Sequence, residues 1–117
     1  GLTDTEISGM LKESFENAAR DKQARALQEQ RVDAERLLET VRTALEVDAE
    51  ALLSAKERSD IAASMEALES VRHGDDVNAI ARHIQQLNHA TNELATRRLD
   101  ATVKAALAGR QLDEMEG

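Results

Sequence analysis

The sequence predicts an all-α fold, in which a long helical arm of two consecutive helices leads into a small antiparallel helical bundle. Three observations favour it. The 117 residues contain no Pro, the residue that a helix interior excludes most strongly. Good helix formers such as Ala, Leu and Glu dominate, while the strand-favouring Val and Ile are few. Apolar residues recur at helical spacing along most of the chain.

The first helix is predicted by a capping sequence and the apolar stripe that follows it. Residues 3–6 read Thr-Asp-Thr-Glu, the pattern of a capping box. The stripe consists of Ile7, Met10, Leu11, Phe15 and Ala18. No other segment is an obvious partner for it, which predicts a surface that binds another domain or protein. The competing interpretation packs the stripe within the chain's own bundle.

The second helix is predicted to run from about residue 21 to about residue 47. Residues 20–31 contain one large apolar side chain, Leu27, and are interpreted as a solvent-exposed helical bridge. Apolar spacing then resumes at Ala34, Leu37, Leu38, Val41, Ala44 and Leu45, which predicts packing of the C-terminal half. Residues 1–47 are therefore taken as the arm.

Residues 48–110 are predicted to complete the bundle. A second capping box at residues 54–57 opens a third helix, whose inward residues are Ile61, Ala62, Met65, Leu68 and Val71. Gly74 has the position of a helix C′ residue, and Asp75 and Asp76 can supply the next N-cap.

The fourth helix carries an apolar stripe that changes register. Its members are Val77, Ile80, Ile84, Leu87, Thr91 and Leu94, followed one position out of phase by Leu99, Val103, Ala106 and Leu107. The shift indicates a kink, a short break or a slow drift around residues 96–98. Residues 111–117 form a short acidic tail that is predicted to fray.

Composition excludes several classes of function. A net charge of −8 argues against nucleic-acid binding and against adsorption to anionic lipid. No apolar run is long enough to span a membrane. The chain lacks Cys, and His73, His83 and His89 do not have the spacing of metal ligands. No catalytic, cofactor-binding or metal-binding residue is predicted. A start at Gly1 rather than Met suggests a fragment, a processed chain or a tag scar.

In their order along the chain, these signals resemble the C-terminal helical lid of the seventy-kilodalton heat-shock chaperones. Residues 1–7 look like the start of the family's first lid helix, and Leu37 with Leu38 looks like its paired leucines. Residues 74–80 and 95–100, followed by Val103, Ala106, Leu107 and Gly109, are similar to the branch of this family that serves iron–sulphur cluster assembly. The resemblance covers essentially the whole chain.

The resemblance implies a lid that closes over a client peptide held by a β-sandwich of the parent protein. ATP and Mg would bind in the parent's ATPase domain, with no cofactor in this chain. Ile7, Met10, Leu11, Phe15 and Ala18 would dock on the β-sandwich. Glu35 and Glu39 match the family's latch positions, although a His is common where Glu39 stands.

The resemblance also implies partners and a compartment. The client would be the scaffold protein IscU, the co-chaperone would be the J-protein HscB, and the location would be the bacterial cytoplasm. Separated from its β-sandwich, the chain is expected to self-associate through its first stripe. Alternatives are the lid of a general DnaK-type folding chaperone, a stand-alone helical interaction adaptor, and a helical-bundle enzyme or metal carrier.

Overall fold

A computed structural model describes the backbone of residues 1–116 and the side chains of residues 1–110. It contains three helices, α1 (Asp4–Leu52), α2 (Ala55–Val71) and α3 (Val77–Glu116). No strand occurs among residues 1–116, and the all-α prediction is confirmed. The backbone of residues 111–116 continues α3 to Glu116. The fraying predicted for the acidic tail, residues 111–117, stays a prediction, and Gly117 lies outside the described residues.

The arm is helical throughout, but it is one helix where two consecutive helices were expected. Helix α1 runs without interruption for 49 residues, a length of about 74 Å at 1.5 Å per residue. The polar bridge at residues 20–31 contains no Pro or Gly, so nothing in it breaks the hydrogen-bond ladder. The two predicted segments therefore share one axis and cannot bend independently at a loop.

The bundle is built by α2 and α3 on the C-terminal half of α1. Two residues, Leu53 and Ser54, connect α1 to α2, and residues 72–76 connect α2 to α3. Connections this short reverse the chain, so consecutive helices run antiparallel. The core consists of Ala34, Leu38, Val41, Ala44, Leu53, Ile61, Leu68, Ile80, Leu87 and Leu94.

The predicted N-caps of all three helices are confirmed by hydrogen bonds. The Glu6 N–H donates to Thr3 Oγ1 over 3.1 Å. Ser54 and Glu57 form a reciprocal capping box, with bonds of 3.1 and 3.0 Å. At the start of α3, the N–H of Ala79 donates to Asp76 Oδ1 over 3.1 Å.

Gly74 lies one residue beyond the predicted C′ position of α2, because the C-cap of this helix is Arg72. The Gly74 N–H donates to Val71 O over 3.0 Å, and no described glycine has a positive φ. Helix α2 therefore ends in a tight right-handed turn, which Gly74 joins without using the conformational freedom that glycine offers.

Helix α3 passes residues 96–98 without a break, so the short break is wrong, and the kink and the slow drift stay predictions. Its apolar core contacts end with Leu94, and residues 98–110 are all exposed. We call residues 99–110 the α3 extension. Residues 1–25 are exposed as well, and we call residues 4–25 the free arm.

These two projections make the molecule long and thin. Its extents are 89 × 36 × 16 Å and its radius of gyration is 23.7 Å, against about 13 Å for a compact domain of this length. The arm enters the bundle near Arg31, beside the α2–α3 turn, and α3 leaves it near Arg97, beside the end of α1. The free arm and the α3 extension therefore project from opposite ends.

Candidate docking surface on the free arm

The predicted docking residues form an exposed apolar surface on the free arm. Phe15 is 80% exposed and Leu11 is 62% exposed, and Ile7, Met10 and Ala18 are exposed beside them. We call these five residues the arm stripe. They do not pack into the bundle of this chain, so the competing interpretation of an internal contact is wrong. Their docking on a β-sandwich stays a prediction.

The arm stripe and the bundle lie on opposite faces of α1. Leu11, in the stripe, and Leu38, in the core, are 27 residues apart on one uninterrupted helix. This separation is about 7.5 turns at 3.6 residues per turn, so the two side chains point in opposite directions. A partner can cover the arm stripe without meeting α2 or α3.

The segment that carries the arm stripe is acidic. Residues 4–18 contain four carboxylates, Asp4, Glu6, Glu13 and Glu16, and one cation, Lys12. An apolar stripe on an acidic helix fits a partner surface that is apolar and has basic residues nearby.

The two predicted latch residues lie further along the same helix. Glu35 and Glu39 are exposed and are one turn apart. Glu39 accepts a hydrogen bond from Arg42 Nη1 over 2.9 Å, an ion pair within α1 itself. A partner cation would therefore compete with Arg42 for the Glu39 carboxylate. The latch role stays a prediction.

An arginine that sequence reasoning missed fixes the point where the arm leaves the bundle. Arg31 Nη2 donates to Gly74 O over 2.9 Å and to Asp75 Oδ1 over 3.0 Å. Both acceptors lie in the α2–α3 turn, so the contact ties α1 to that turn. The only signal in the sequence is that Arg31 stands just before the apolar spacing resumes, and a charged residue at such a position is ordinary.

A second arginine holds the other end of the bundle. Arg97 Nη1 donates to Leu52 O and to Glu57 Oε1, each over 2.8 Å, and Arg97 Nε lies 3.3 Å from Glu93. The hydrogen bond from Arg97, together with that from the Ser54 N–H, lowers the pKa of Glu57 from 4.5 to about 2. The same pairing raises the pKa of Arg97. This cluster closes the α1–α2 turn.

The described residues offer no site for metal chemistry. Across residues 1–110, no three His, Cys, Asp or Glu side chains come together in a way that could hold an ion. The helices of the described part include none that is both long and apolar enough to cross a membrane.

Comparison with known proteins gives consistent matches along the chain. The model of a family described as Hsp70 protein matches residues 1–100. A chaperone protein HscA homolog of Azotobacter vinelandii is 58% identical over 116 residues. Homologs of the same name from Pseudomonas aeruginosa and Pseudomonas fluorescens are 55% and 53% identical over 116 residues. Each alignment covers 99% of this chain but 19% of the relative's length.

Proposed function

The chain belongs to the Hsp70 protein family, and from that membership we propose that it is the helical lid of a chaperone's substrate-binding domain. In this role it closes over a client peptide that a β-sandwich holds. The chain spans 19% of the length of its curated relatives. Peptide gripping, and ATP hydrolysis with Mg, are assigned to parts of the parent protein outside these residues, and the chain itself acts as a binding element.

The observation that carries the proposal is the arm stripe. Five apolar residues on one face of α1 are left uncovered by the side chains of residues 1–110. Exposed apolar surfaces of this kind on soluble domains mark sites of interaction. Because the stripe faces away from the bundle, a β-sandwich docked on it leaves the three-helix core intact.

The continuous helix explains how docking positions the rest of the lid. No loop separates the arm stripe from residues 34–44, which form the α1 part of the core. A β-sandwich that holds the stripe therefore also sets the direction of the bundle. Nucleotide bound elsewhere in the parent shifts the population between docked and undocked lid.

Glu35 and Glu39 are the proposed latch residues. They lie on α1 between the arm stripe and the end of the bundle, and both are exposed. We assign them to contacts with β-sandwich loops that delay lid opening. Charge-assisted hydrogen bonds of this kind are among the stronger polar contacts.

The relatives named HscA homologs direct the proposal to iron–sulphur cluster assembly. On this basis we assign the scaffold protein IscU as the client of the parent chaperone. The J-protein HscB is assigned as its co-chaperone, and the bacterial cytoplasm as its location. A general DnaK-type lid is the alternative within the same family, and client specificity separates the two.

An NMR titration of the chain with a peptide-loaded HscA β-sandwich tests the lid role. Amide shifts are expected over residues 7–39, with those of α2 unchanged. Phe15→Glu should abolish the shifts, because it places a charge in the middle of the apolar contact. Val47→Glu is the matched control, since Val47 is also apolar, 68% exposed and on α1, but outside the arm stripe.

Two results would contradict the proposal. Absence of shifts at saturating β-sandwich would remove docking altogether. Equal loss of binding in Phe15→Glu and Val47→Glu would show that binding depends on general charge rather than on the arm stripe.

Peptide-release rates of the parent chaperone carrying Glu35→Gln or Glu39→Gln test the latch, and faster release is expected.

A further inference from the structure

Met10 is the one member of the arm stripe whose chemistry a small oxidant can change. The other four members, Ile7, Leu11, Phe15 and Ala18, have hydrocarbon side chains. Met10 is 56% exposed, and the thioether of an accessible methionine is oxidised to the sulfoxide. The product is a polar side chain in place of a flexible apolar one. Oxidation would therefore alter the arm stripe without altering the sequence.

The composition of the chain directs this chemistry to methionine. There is no Cys whose thiol could react first, and there are three Met. Met65 is partly buried and packs against the core. Met115 lies outside the described side chains. Of the two methionines whose side chains are described, Met10 is the more accessible to a reagent in solution.

We propose that Met10 is a peroxide-sensitive site, at which oxidation to the sulfoxide weakens docking of the free arm on a β-sandwich. The inference rests on the proposed lid function, which supplies this contact. In the reaction, hydrogen peroxide transfers one oxygen atom to Met10 Sδ. The O–O bond of the peroxide breaks, a bond between Sδ and oxygen forms, and the sulfur is oxidised by two electrons. The second oxygen of the peroxide leaves as water.

The sulfoxide weakens docking because it brings a strong hydrogen-bond acceptor into an apolar contact. On the undocked arm, water hydrates the new oxygen. A partner surface that is apolar removes this hydration and offers no donor in exchange, which is unfavourable. Met10 lies one turn after Ile7 on the same helix, so the polar group enters the contact that the stripe makes. We expect affinity to fall by roughly tenfold.

Docking and oxidation compete for the same side chain. A β-sandwich that covers the arm stripe also covers Met10, so peroxide reaches the sulfur while the arm is undocked. Each oxidation event therefore takes a molecule from the undocked population and hinders its return, which shifts the equilibrium toward the open lid. A methionine sulfoxide reductase, with a dithiol as reductant, restores the thioether and with it the docking surface.

Peroxide treatment of the chain, followed residue by residue with peptide mass spectrometry, tests the access of the reagent. Met10 should be oxidised several-fold faster than Met65. Saturating peptide-loaded β-sandwich should slow the oxidation of Met10 and leave the rate at Met65 unchanged, so Met65 is the internal control. Equal rates at the two residues in the free chain would overturn the inference. So would an unchanged rate at Met10 when the β-sandwich is bound.

The affinity for the peptide-loaded β-sandwich, measured before and after peroxide treatment, tests the effect on docking. All proteins carry Met115→Leu, so that oxidation of Met115 does not contribute. In this background, treatment should weaken binding by roughly tenfold, and Met65→Leu should be weakened as much. The affinity of Met10→Leu, whatever its starting value, should not change on treatment, because leucine has no sulfur.

The lid function and the peroxide site fail separately in this experiment. Unchanged affinity after complete oxidation of Met10, or an equal loss of affinity in Met10→Leu, would overturn the peroxide site and leave the lid function standing. Absence of binding before peroxide is added would overturn the lid function, and the regulation of docking with it. Treatment of the oxidised chain with sulfoxide reductase and dithiol should restore the starting affinity, and failure to do so would contradict a reversible site.

Discussion

The two halves of helix α1 have similar amphipathic patterns but opposite surroundings. In the C-terminal half, Ala34, Leu38 and Val41 are almost fully buried. In the N-terminal half, Ile7, Leu11 and Phe15 have the same kind of spacing and remain exposed. The difference lies in what is packed against each half, because the core contacts of α1 extend towards its N-terminus only as far as Leu27.

The comparison shows that an apolar stripe predicts a partner without saying which molecule supplies it. Helix formation needs helix-forming residues and few breakers, and α1 contains no Pro and one glycine, Gly9. Burial needs a second surface. The free arm obtains its helical structure by extension from the packed half, since adding residues to an existing helix avoids the cost of nucleation.

The largest expected difference between the two halves concerns large-to-small substitutions. Leu87 is fully buried against the packed half of α1, so Leu87→Ala should lower the free energy of unfolding by about 2–5 kcal/mol through lost burial and a cavity. Leu11→Ala, on the free arm, should change it by less than about 0.5 kcal/mol. Urea unfolding monitored by circular dichroism measures both. Equal losses would mean that the arm packs on the bundle in solution.

Helix caps should show the same contrast at smaller scale. Ser54 caps a helix inside the bundle and Thr3 caps the free arm, each by accepting an N–H bond of 3.1 Å. Ser54→Ala should cost about 1 kcal/mol of global stability. Thr3→Ala should fray the arm and leave the unfolding midpoint unchanged. Hydrogen exchange of residues 4–10 reports the fraying, and a shifted midpoint in Thr3→Ala would break the comparison.

The boundary between the halves can be weakened at Arg31. Asp75 is 93% exposed, so its ion pair with Arg31 is expected to contribute about 0.2–1 kcal/mol. Arg31→Gln should cost about that much and speed amide exchange in residues 26–33. Asp75→Asn keeps the bond to Gly74 O and should have a weaker effect. If both variants exchange like the unmutated chain, Arg31 does not mark the boundary.

The smallest effect is a pH dependence confined to the bundle. The pKa of Glu57 is lowered from 4.5 to about 2 by Arg97 and the Ser54 N–H. A lowered carboxyl pKa stabilises the fold above the unfolded value, and this stabilisation is lost as pH falls from 4.5 toward 2. Glu57→Gln should therefore reduce the loss of stability over this window. Glu13→Gln, on the free arm, is the control and should leave the pH profile as it is.

Local signals in the sequence predicted most of the fold. The caps at Thr3, Ser54 and Asp76 depend on residues only three apart, so they can be read directly. The core positions Leu38, Ile61, Leu68, Ile80 and Leu87 follow from helical periodicity. The single α1 helix was missed because the polar residues 20–31 look like a boundary between two helices. Such a boundary does not require Pro or Gly, so the absence of both did not exclude it.

The arginine contacts could not be predicted in the same way. Arg31 and its acceptor Gly74 are 43 positions apart, and Arg97 and its acceptor Leu52 are 45 positions apart. Both contacts depend on the relative register of packed helices, which periodicity leaves open. The exposure of Leu99, Val103 and Leu107 depends on where α1 ends relative to α3, and this is also a tertiary property.

The unbroken length of α1 has a mechanical consequence. A rod of about 74 Å that turns by about 10° around one end moves its other end by roughly 13 Å. A partner that holds the first five turns of α1 can therefore move the far end of the bundle by more than the width of a helix without contacting the bundle. Small rotations at one end become large displacements at the other, and a flexible joint in the middle would have absorbed them.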